Sequence, residues 1–463
     1  MLLYGAMLLT SPAYLTFAAI VFLAYWLVSR YRLAGLGVIL VANYFFYARW
    51  GLMYLALVPV ASSIDFALGC ALARCERATP RRLLVGASVA LDVGLILSLR
   101  TLPLVHSAWS WTLPLGLSFY AFQSMTYTID IYRRVASPAP SYLVYLCASS
   151  FFPTTLAGPI TRLSTLWPQI ANAGRTLAPA DGGRALFRIG LGVTKKFLIA
   201  DFLADHLVNR VFDTPKLYSS AEVLMALYGY AFQLYYDFSG YTDIALGSAL
   251  LIGIRLPENF RRPYSAVSIA DFWRRWHISL SNWLRDYVYF SLPGLRSRWK
   301  ALAYLNLVVT MAIGGLWHGP NWPFLVWGLL HGLGLAVVRG WQAWRRRKAS
   351  AGLLARFGAR LLTFHFVLLA WIFFRSPTLD AARDFLVQLG SLTASFANIA
   401  PAFVFVLAIA AAAHYLPERW YDRSLRLYSD SPFYVQAAAL ALLAVSIKEV
   451  AATGAVPFIY TRF

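Results

Sequence analysis

The sequence predicts an all-α, polytopic membrane protein, and three observations carry that expectation. Of its 463 residues 59% are hydrophobic and 13% charged, about half the charged share of a soluble domain. Apolar windows recur along the whole chain, about ten to twelve of them readable as membrane helices, with some too short or too broken to cross alone and so read as re-entrant pieces. Lys and Arg gather after particular windows, which gives the chain a topology as well as a formal net charge of +21.

In chain order the apolar windows are 14–28, 33–47, 51–72, 83–99, 142–156, 185–207, 221–254, 301–316, 323–338, 353–374, 402–416 and 433–450. The opening MLLYGAMLLTSPAYLTF lacks the basic n-region and small-residue cleavage site of a signal peptide, so the first window is expected to be retained. Arg30 and Arg32 follow the first window, and Arg74, Arg77, Arg81 and Arg82 follow the third. Such clusters favour the cytoplasm and place the N-terminus outside; Arg345-Arg-Arg-Lys348 marks another cytoplasmic loop. Asp65, Asp92 and Asp130 are embedded in apolar surroundings, where pairing with an arginine would explain each. Asp237 and Asp243 lie in the window 221–254, where carboxylates usually face the bundle interior. The Pro-bounded turn Pro257-Glu-Asn-Phe-Arg-Arg-Pro-Tyr264 then leads towards Asp271. Segments 350–358 and 380–395 read as connecting loops. With no 20–50-residue repeat and no long linker, residues 1–463 read as one integral domain.

Two histidines stand out. The run ALAYLNLVVTMAIGGL (301–316) has no charge and would span roughly 24 Å as a helix. His318 closes it, within Gly314-Gly-Leu-Trp-His-Gly-Pro-Asn-Trp322. A neutral imidazole can take a proton from a hydroxyl; the bland alternative is a histidine at a helix–helix turn, bonded to a carbonyl or a lipid headgroup. The segment 271–290, DFWRRWHISLSNWLRDYVYF, reads as one amphipathic helix. At 100° per residue Phe272, Trp273, Trp276, Leu280, Trp283, Leu284 and Tyr287 share an arc of about 120°, opposite Arg274, Arg275, Asn282, Arg285 and Asp286. His277 falls at the edge of the apolar arc, where it could face both the interior and water. An interfacial helix with a snorkelling histidine would look the same.

Other chemistries lack their signatures. The sequence has no Gly-x-Ser-x-Gly elbow, no Gly-Lys-Ser/Thr phosphate loop, no His-Glu-x-x-His pair and no His-x4-Asp motif. Cys70, Cys75 and Cys147 show no metal spacing and no disulfide framework, and no metal site is expected. The positive charge suits loops facing anionic lipid, and it would also attract an acidic donor such as a coenzyme A thioester or an acidic carrier protein. No soluble basic domain is present to hold nucleic acid.

Six ordered segments resemble the membrane-bound O-acyltransferase family, in particular its bacterial branch of alginate O-acetylation and teichoic-acid D-alanylation proteins. They are Pro114-Leu-Gly-Leu-Ser-Phe-Tyr-Ala-Phe-Gln123, Ala157-Gly-Pro159, Asp237-Phe-Ser-Gly-Tyr241, Pro257-Glu-Asn-Phe260, Phe272-Trp-Arg-Arg-Trp-His-Ile-Ser-Leu-Ser281 and Gly315-Leu-Trp-His-Gly319. The resemblance runs from about residue 40 to the C-terminus. It departs at Ser291-Leu-Pro-Gly-Leu-Arg296, where relatives carry a Pro-Leu-Gly-Gly-Asn-Arg-like turn. It implies a ring of transmembrane helices with re-entrant helices around a central cavity, in the cell inner membrane. It also implies that His318 is the catalytic histidine and His277 the second motif histidine.

The activity implied by the resemblance is acyl transfer across the membrane: a cytoplasmic thioester, acetyl-CoA or another, donates, and an extracytoplasmic hydroxyl receives. No tightly bound cofactor is implied; the partners are the bilayer, the thioester donor and a separate extracytoplasmic acyltransferase. The tail Pro457-Phe-Ile-Tyr-Thr-Arg-Phe463 carries Phe458-x-Tyr460-x-x-Phe463, similar to a terminal motif of acetylating relatives. A phenol at Tyr460 is a plausible acyl relay, although an aromatic-flanked tyrosine also suits the membrane interface. The leading expectation is acetylation of an exported polysaccharide such as alginate, cellulose or peptidoglycan. D-alanyl transfer to a cell-envelope polymer is the alternative within the same chemistry. A polysaccharide or lipid transporter fits the composition but leaves the two histidine motifs unexplained.

Overall fold

The computed structural model describes residues 7–51, 53–105, 116–172, 176–295, 299–344 and 352–450. Helices and irregular connections make up the described chain, with no strand among the described residues. In order the α-helices are α1 Pro12–Val28, α2 Arg32–Ala48, α3 Met53–Arg74, α4 Ala78–Val105, α5 Leu117–Tyr132, α6 Tyr142–Ser149, α7 Phe152–Thr155, α8 Leu163–Asn172, α9 Pro179–Thr194 and α10 Asn209–Asp213. Then come α11 Ser220–Leu251, α12 Ile269–Trp273, α13 Ile278–Trp283, α14 Lys300–His318, α15 Trp322–Trp344, α16 Leu353–Arg375, α17 Leu379–Leu389, α18 Pro401–Tyr415, α19 Glu418–Ser429 and α20 Phe433–Val450. Among the described residues, four stretches are long and apolar enough to cross a bilayer: Leu55–Arg74, Ala301–His318, Trp322–Trp344 and Leu353–Arg375. A fifth is formed if Pro401–Tyr415 and Glu418–Ser429, bent by 94°, count as one span. The shorter α1 and α2, of 17 residues each, are as apolar.

Two compact units share the chain. The first comprises Met1–Gly192, Tyr241–Pro257 and Ser424–Ala438; the second comprises Val193–Gly240, Glu258–Arg423 and Ala439–Phe463. In the first, α1 starts where the Ser11 hydroxyl accepts the Tyr14 N–H (3.2 Å), with Pro12 at the first helical position. Tyr14 and Phe17 of α1 pack on Phe46 of α2 and Phe152 of α7, with ring centroids 5.2–6.2 Å apart. Gly116 has φ 94°, and a Cβ there would lie 2.1 Å from the Thr155 carbonyl oxygen, so only glycine fits this approach.

Arg81 differs from its sequence-based assignment to a charged cytoplasmic loop, because it is buried. Its guanidinium donates to the carbonyls of Leu72 (2.5 Å) and Cys75 (2.8 Å) at the end of α3, and to Ile131 (3.1 Å) and Tyr132 (2.8 Å) at the end of α5. Helix C-termini leave carbonyl acceptors without intrahelical donors, and a cation is favoured there by the helix dipoles; the Ile131 carbonyl also accepts the Arg134 N–H (3.0 Å). The expected arginine partner of Asp65 is likewise replaced: Asp65 accepts from the hydroxyls of Ser88 and Ser124.

In the second unit α14 and α15 pack backbone to backbone. A Cβ at Gly315 would stand 2.2 Å from the Phe324 carbonyl oxygen, one at Gly328 2.4 Å from that of Met311, and one at Gly332 2.7 Å from Val308 Cα. Small residues at helix crossings allow this approach in a medium that gives no hydrophobic drive to association. Segment 380–395, expected as a loop, contains α17. The Thr378 hydroxyl caps it by accepting the Ala381 N–H (3.1 Å), and buried Phe385 stacks on Phe212 at 4.4 Å.

Replacing Arg81 by Ala removes its bonds to four carbonyls in one step, of which that of Ile131 keeps the Arg134 N–H. The expected loss is about 3 kcal/mol of stability, measured as a lower melting temperature of the purified protein in detergent. Arg81→Lys should restore only part of it, since an ammonium cannot reproduce the planar fork.

Candidate active site

The segment expected as one amphipathic helix over 271–290 is broken. α12 ends at Trp273, α13 starts at Ile278, and His277 between them has φ 41°. That left-handed conformation costs a non-glycine residue about 1–2 kcal/mol, so the surroundings must impose it. They do so from the turn 257–264. The Ile278 N–H donates to the Asn259 carbonyl (2.9 Å), and the Arg261 N–H to the Arg275 carbonyl (2.9 Å). Beyond the break the chain widens into a π-helical turn, Leu284–Val288. The apolar set survives nonetheless: Phe272, Trp273, Trp276, Leu280, Trp283, Leu284 and Tyr287 are all buried.

Asn259 fixes the chemistry of His277. Its side-chain oxygen accepts the Ser279 N–H (3.1 Å) and the Ser279 hydroxyl (2.9 Å), and it meets His277 Nδ1 at 3.1 Å. A backbone N–H can only donate, so this atom is the amide oxygen, and His277 must carry its proton on Nδ1. Nε2 is then the acceptor nitrogen, the one able to take a proton from a hydroxyl. The ring is buried, at odds with the position between interior and water expected for it. Phe238 stands edge-on to it at 4.7 Å and 90°. Trp317 lies 6.4 Å away by ring centroids.

His318 is the last residue of α14 and is also buried. Its ring is enclosed by Trp317 (4.7 Å), Phe374 (4.9 Å), Trp327 (5.2 Å) and Phe324 (5.9 Å). The glycine contacts of α14 with α15 hold Trp327 and Phe324 against it. Both histidines therefore pack around one indole, that of Trp317. The third residue expected here, Tyr460, lies outside the described residues.

Three residues near this site went unread in the sequence. Asn259 was visible only as part of a motif, because its reach to His277 depends on a fold across 18 residues. His331, in window 323–338, accepts the indole N–H of Trp273 on Nδ1 (3.3 Å), which puts its own proton on Nε2. Lys196 is buried, with Nζ 2.8 Å from both Asp201 and Asp237, the residue before Phe238. A lysine inside the apolar window 185–207 was the available signal. Asp243, the other carboxylate of window 221–254, pairs with Arg188 at 2.8 Å within the first unit. Among the described residues no three of His, Cys, Asp and Glu are grouped as metal ligands.

Comparison with known proteins gives consistent matches. The sequence model of the membrane-bound O-acyltransferase family matches residues 131–375, which hold Asn259, His277 and His318. A peptidoglycan O-acetyltransferase of Helicobacter pylori is 33% identical over 416 residues, covering 81% of this chain and 78% of that protein. A probable alginate O-acetylase of Azotobacter vinelandii is 36% identical over 398 residues, covering 81% and 76%. A teichoic acid D-alanyltransferase of Bacillus subtilis is 28% identical over 274 residues, covering 56% and 68%.

Asn259→Leu removes the oxygen that orients His277 while leaving both histidines in place. Misplacing a reacting group by about 1 Å can cost about 10²-fold in rate, and a fall of that order is expected in an acyl-transfer assay at constant membrane protein. Asn259→Asp, which keeps an acceptor oxygen, should retain more of the activity than the Leu variant.

Proposed function

This chain belongs to the membrane-bound O-acyltransferase family, and from that premise we propose that it moves an acetyl group from a cytoplasmic thioester across the membrane for O-acetylation of an exported polysaccharide. It is a multi-pass membrane O-acyltransferase. The acceptor class we assign is a polymer of the alginate, cellulose or peptidoglycan type, and the donor is acetyl-CoA or another acyl thioester. One observation carries the acetyl assignment: the acetylating relatives match at 33–36% identity over 81% of the chain, whereas the D-alanyl-transferring ones match at 28–29% over 53–56%. The reading further takes residues 1–463 as one integral domain of the cell inner membrane. It has about ten to twelve spans, with re-entrant helices around a central cavity.

In this reading His318 is the general base. It takes the proton of the attacking hydroxyl, whose oxygen bonds to the thioester carbonyl carbon. The carbon–sulfur bond then breaks, and the leaving thiolate recovers the proton from the imidazolium. His277 supports the step by orienting donor or acceptor through Nε2. Tyr460 is the first acceptor: its phenol takes the acetyl group as an ester and passes it to a hydroxyl on an extracytoplasmic acyltransferase partner. A phenyl ester stays reactive enough for that second transfer. The apolar rings around His318 support the same reading, since they exclude the water that would otherwise hydrolyse a thioester or a phenyl ester.

His318→Ala should lower polymer acetylation by about 10²–10⁴-fold with the protein still accumulating in the membrane. Near-normal acetylation by that variant sinks the general-base role. Tyr460→Phe removes one hydroxyl and keeps the ring. It should abolish acetylation of the polymer, and full acetylation would leave the tail as an anchor only.

A further inference from the structure

The first unit holds a network of buried hydroxyls. Asp65 of α3 accepts from Ser88 of α4 (2.7 Å) and from Ser124 of α5 (2.5 Å). Each hydroxyl has a single proton to give. Ser88 must therefore accept from Thr128 of α5 (2.8 Å), and Ser124 from Tyr145 of α6 (3.2 Å). Every proton along these bonds is directed at Asp65, an arrangement that suits a carboxylate. Asp92 lies one helical turn beyond Ser88 on α4 and is wholly buried. Neither of its side-chain oxygens has a hydrogen-bond partner among the described residues. It stands within electrostatic reach of Asp65 and of the hydroxyls of Tyr120 and Tyr145.

A buried carboxylate without donors is costly, and a second one beside an ionised neighbour more so; such a group takes up a proton rather than stand charged. Ionisable residues at membrane depth commonly mark ion or proton sites. We propose that Asp65 and Asp92 form an intramembrane proton-binding site, in which Asp65 holds the negative charge and Asp92 the proton. Binding forms one O–H bond at Asp92 with a proton from water and takes the pair from two negative charges to one. Release breaks that bond and returns the proton to water, with no other reactant. Among the described side chains, the titratable groups on the helices packed against α4 are Asp65 and Cys70 on α3 and Tyr120, Tyr127, Asp130 and Tyr132 on α5. Arg74 ends α3, and Arg81 is held by the carbonyls at the ends of α3 and α5.

The test is infrared spectroscopy of the full-length protein in lipid nanodiscs at neutral pH. The carbonyl stretch of a neutral carboxylic acid should be present in the wild type, lost in Asp92→Asn, and moved but retained in Asp92→Glu. The Glu variant keeps the test open if the Asn variant does not fold. Dicyclohexylcarbodiimide, which attacks protonated carboxyls in apolar surroundings, should label Asp92 less as the pH is raised. A wild type with no such band, or a band unchanged in both variants, overturns the proposal. Labelling blocked by sodium chloride but not by choline chloride would assign the pair to Na⁺ and overturn the proton assignment.

Discussion

An amide oxygen buried among aromatic rings has to be used, and the side-chain oxygen of Asn259 is used three times, by the Ser279 N–H, the Ser279 hydroxyl and His277 Nδ1. That one atom ties the turn 257–264 to the start of α13 and holds His277 in a left-handed conformation it would not choose. It also selects the tautomer. With the proton held on Nδ1, the nitrogen left to act as a base is Nε2. His318 owes its place to a different device, the close approach of α14 and α15 at Gly315, Gly328 and Gly332. Trp317, adjacent to His318 in sequence and within reach of the His277 ring, joins the two arrangements.

The same demand, that polar groups in an apolar medium find partners within the protein, explains the other charges. Lys196 sits between Asp201 and Asp237, Arg188 meets Asp243, and Arg81 spends its charge on four helix-end carbonyls. Asp65 is satisfied by hydroxyls. Breaking a buried ion pair by removing one partner typically costs about 3–5 kcal/mol. The pair Lys196–Asp237 abuts Phe238, and Phe238 packs on His277. Its charge balance therefore bears on the shape of the site as well as on stability.

Much of this was legible in the sequence because hydrophobicity and motif spacing are local. Each apolar window holds helix, and both motif histidines reach the same aromatic cluster. What escaped depends on contacts distant in sequence. Periodicity alone joined 271–290 into one helix, since the break at His277 is imposed by Asn259, 18 residues earlier. Arg81 looked like a loop cation because nothing in its neighbourhood reveals the end of α5, 51 residues away, as its acceptor. Asp65 was assigned an arginine because charge pairing is the usual solution; the hydroxyls of Ser88 and Ser124 come from two other helices. Segment 380–395 was too polar to read as helix until Phe385 found Phe212.

The central claim is that buried histidine chemistry on this chain breaks a thioester donated from one side of the membrane. The most direct measurement uses the purified protein in sealed vesicles, with radiolabelled acetyl-CoA supplied to one face and free coenzyme A followed on that face. The account predicts thiol release from the cytoplasmic face alone, with the label appearing on protein or acceptor, and no release when His318 is replaced. Movement of polysaccharide or lipid across the vesicle wall with the thioester intact would contradict it and make the protein a transporter.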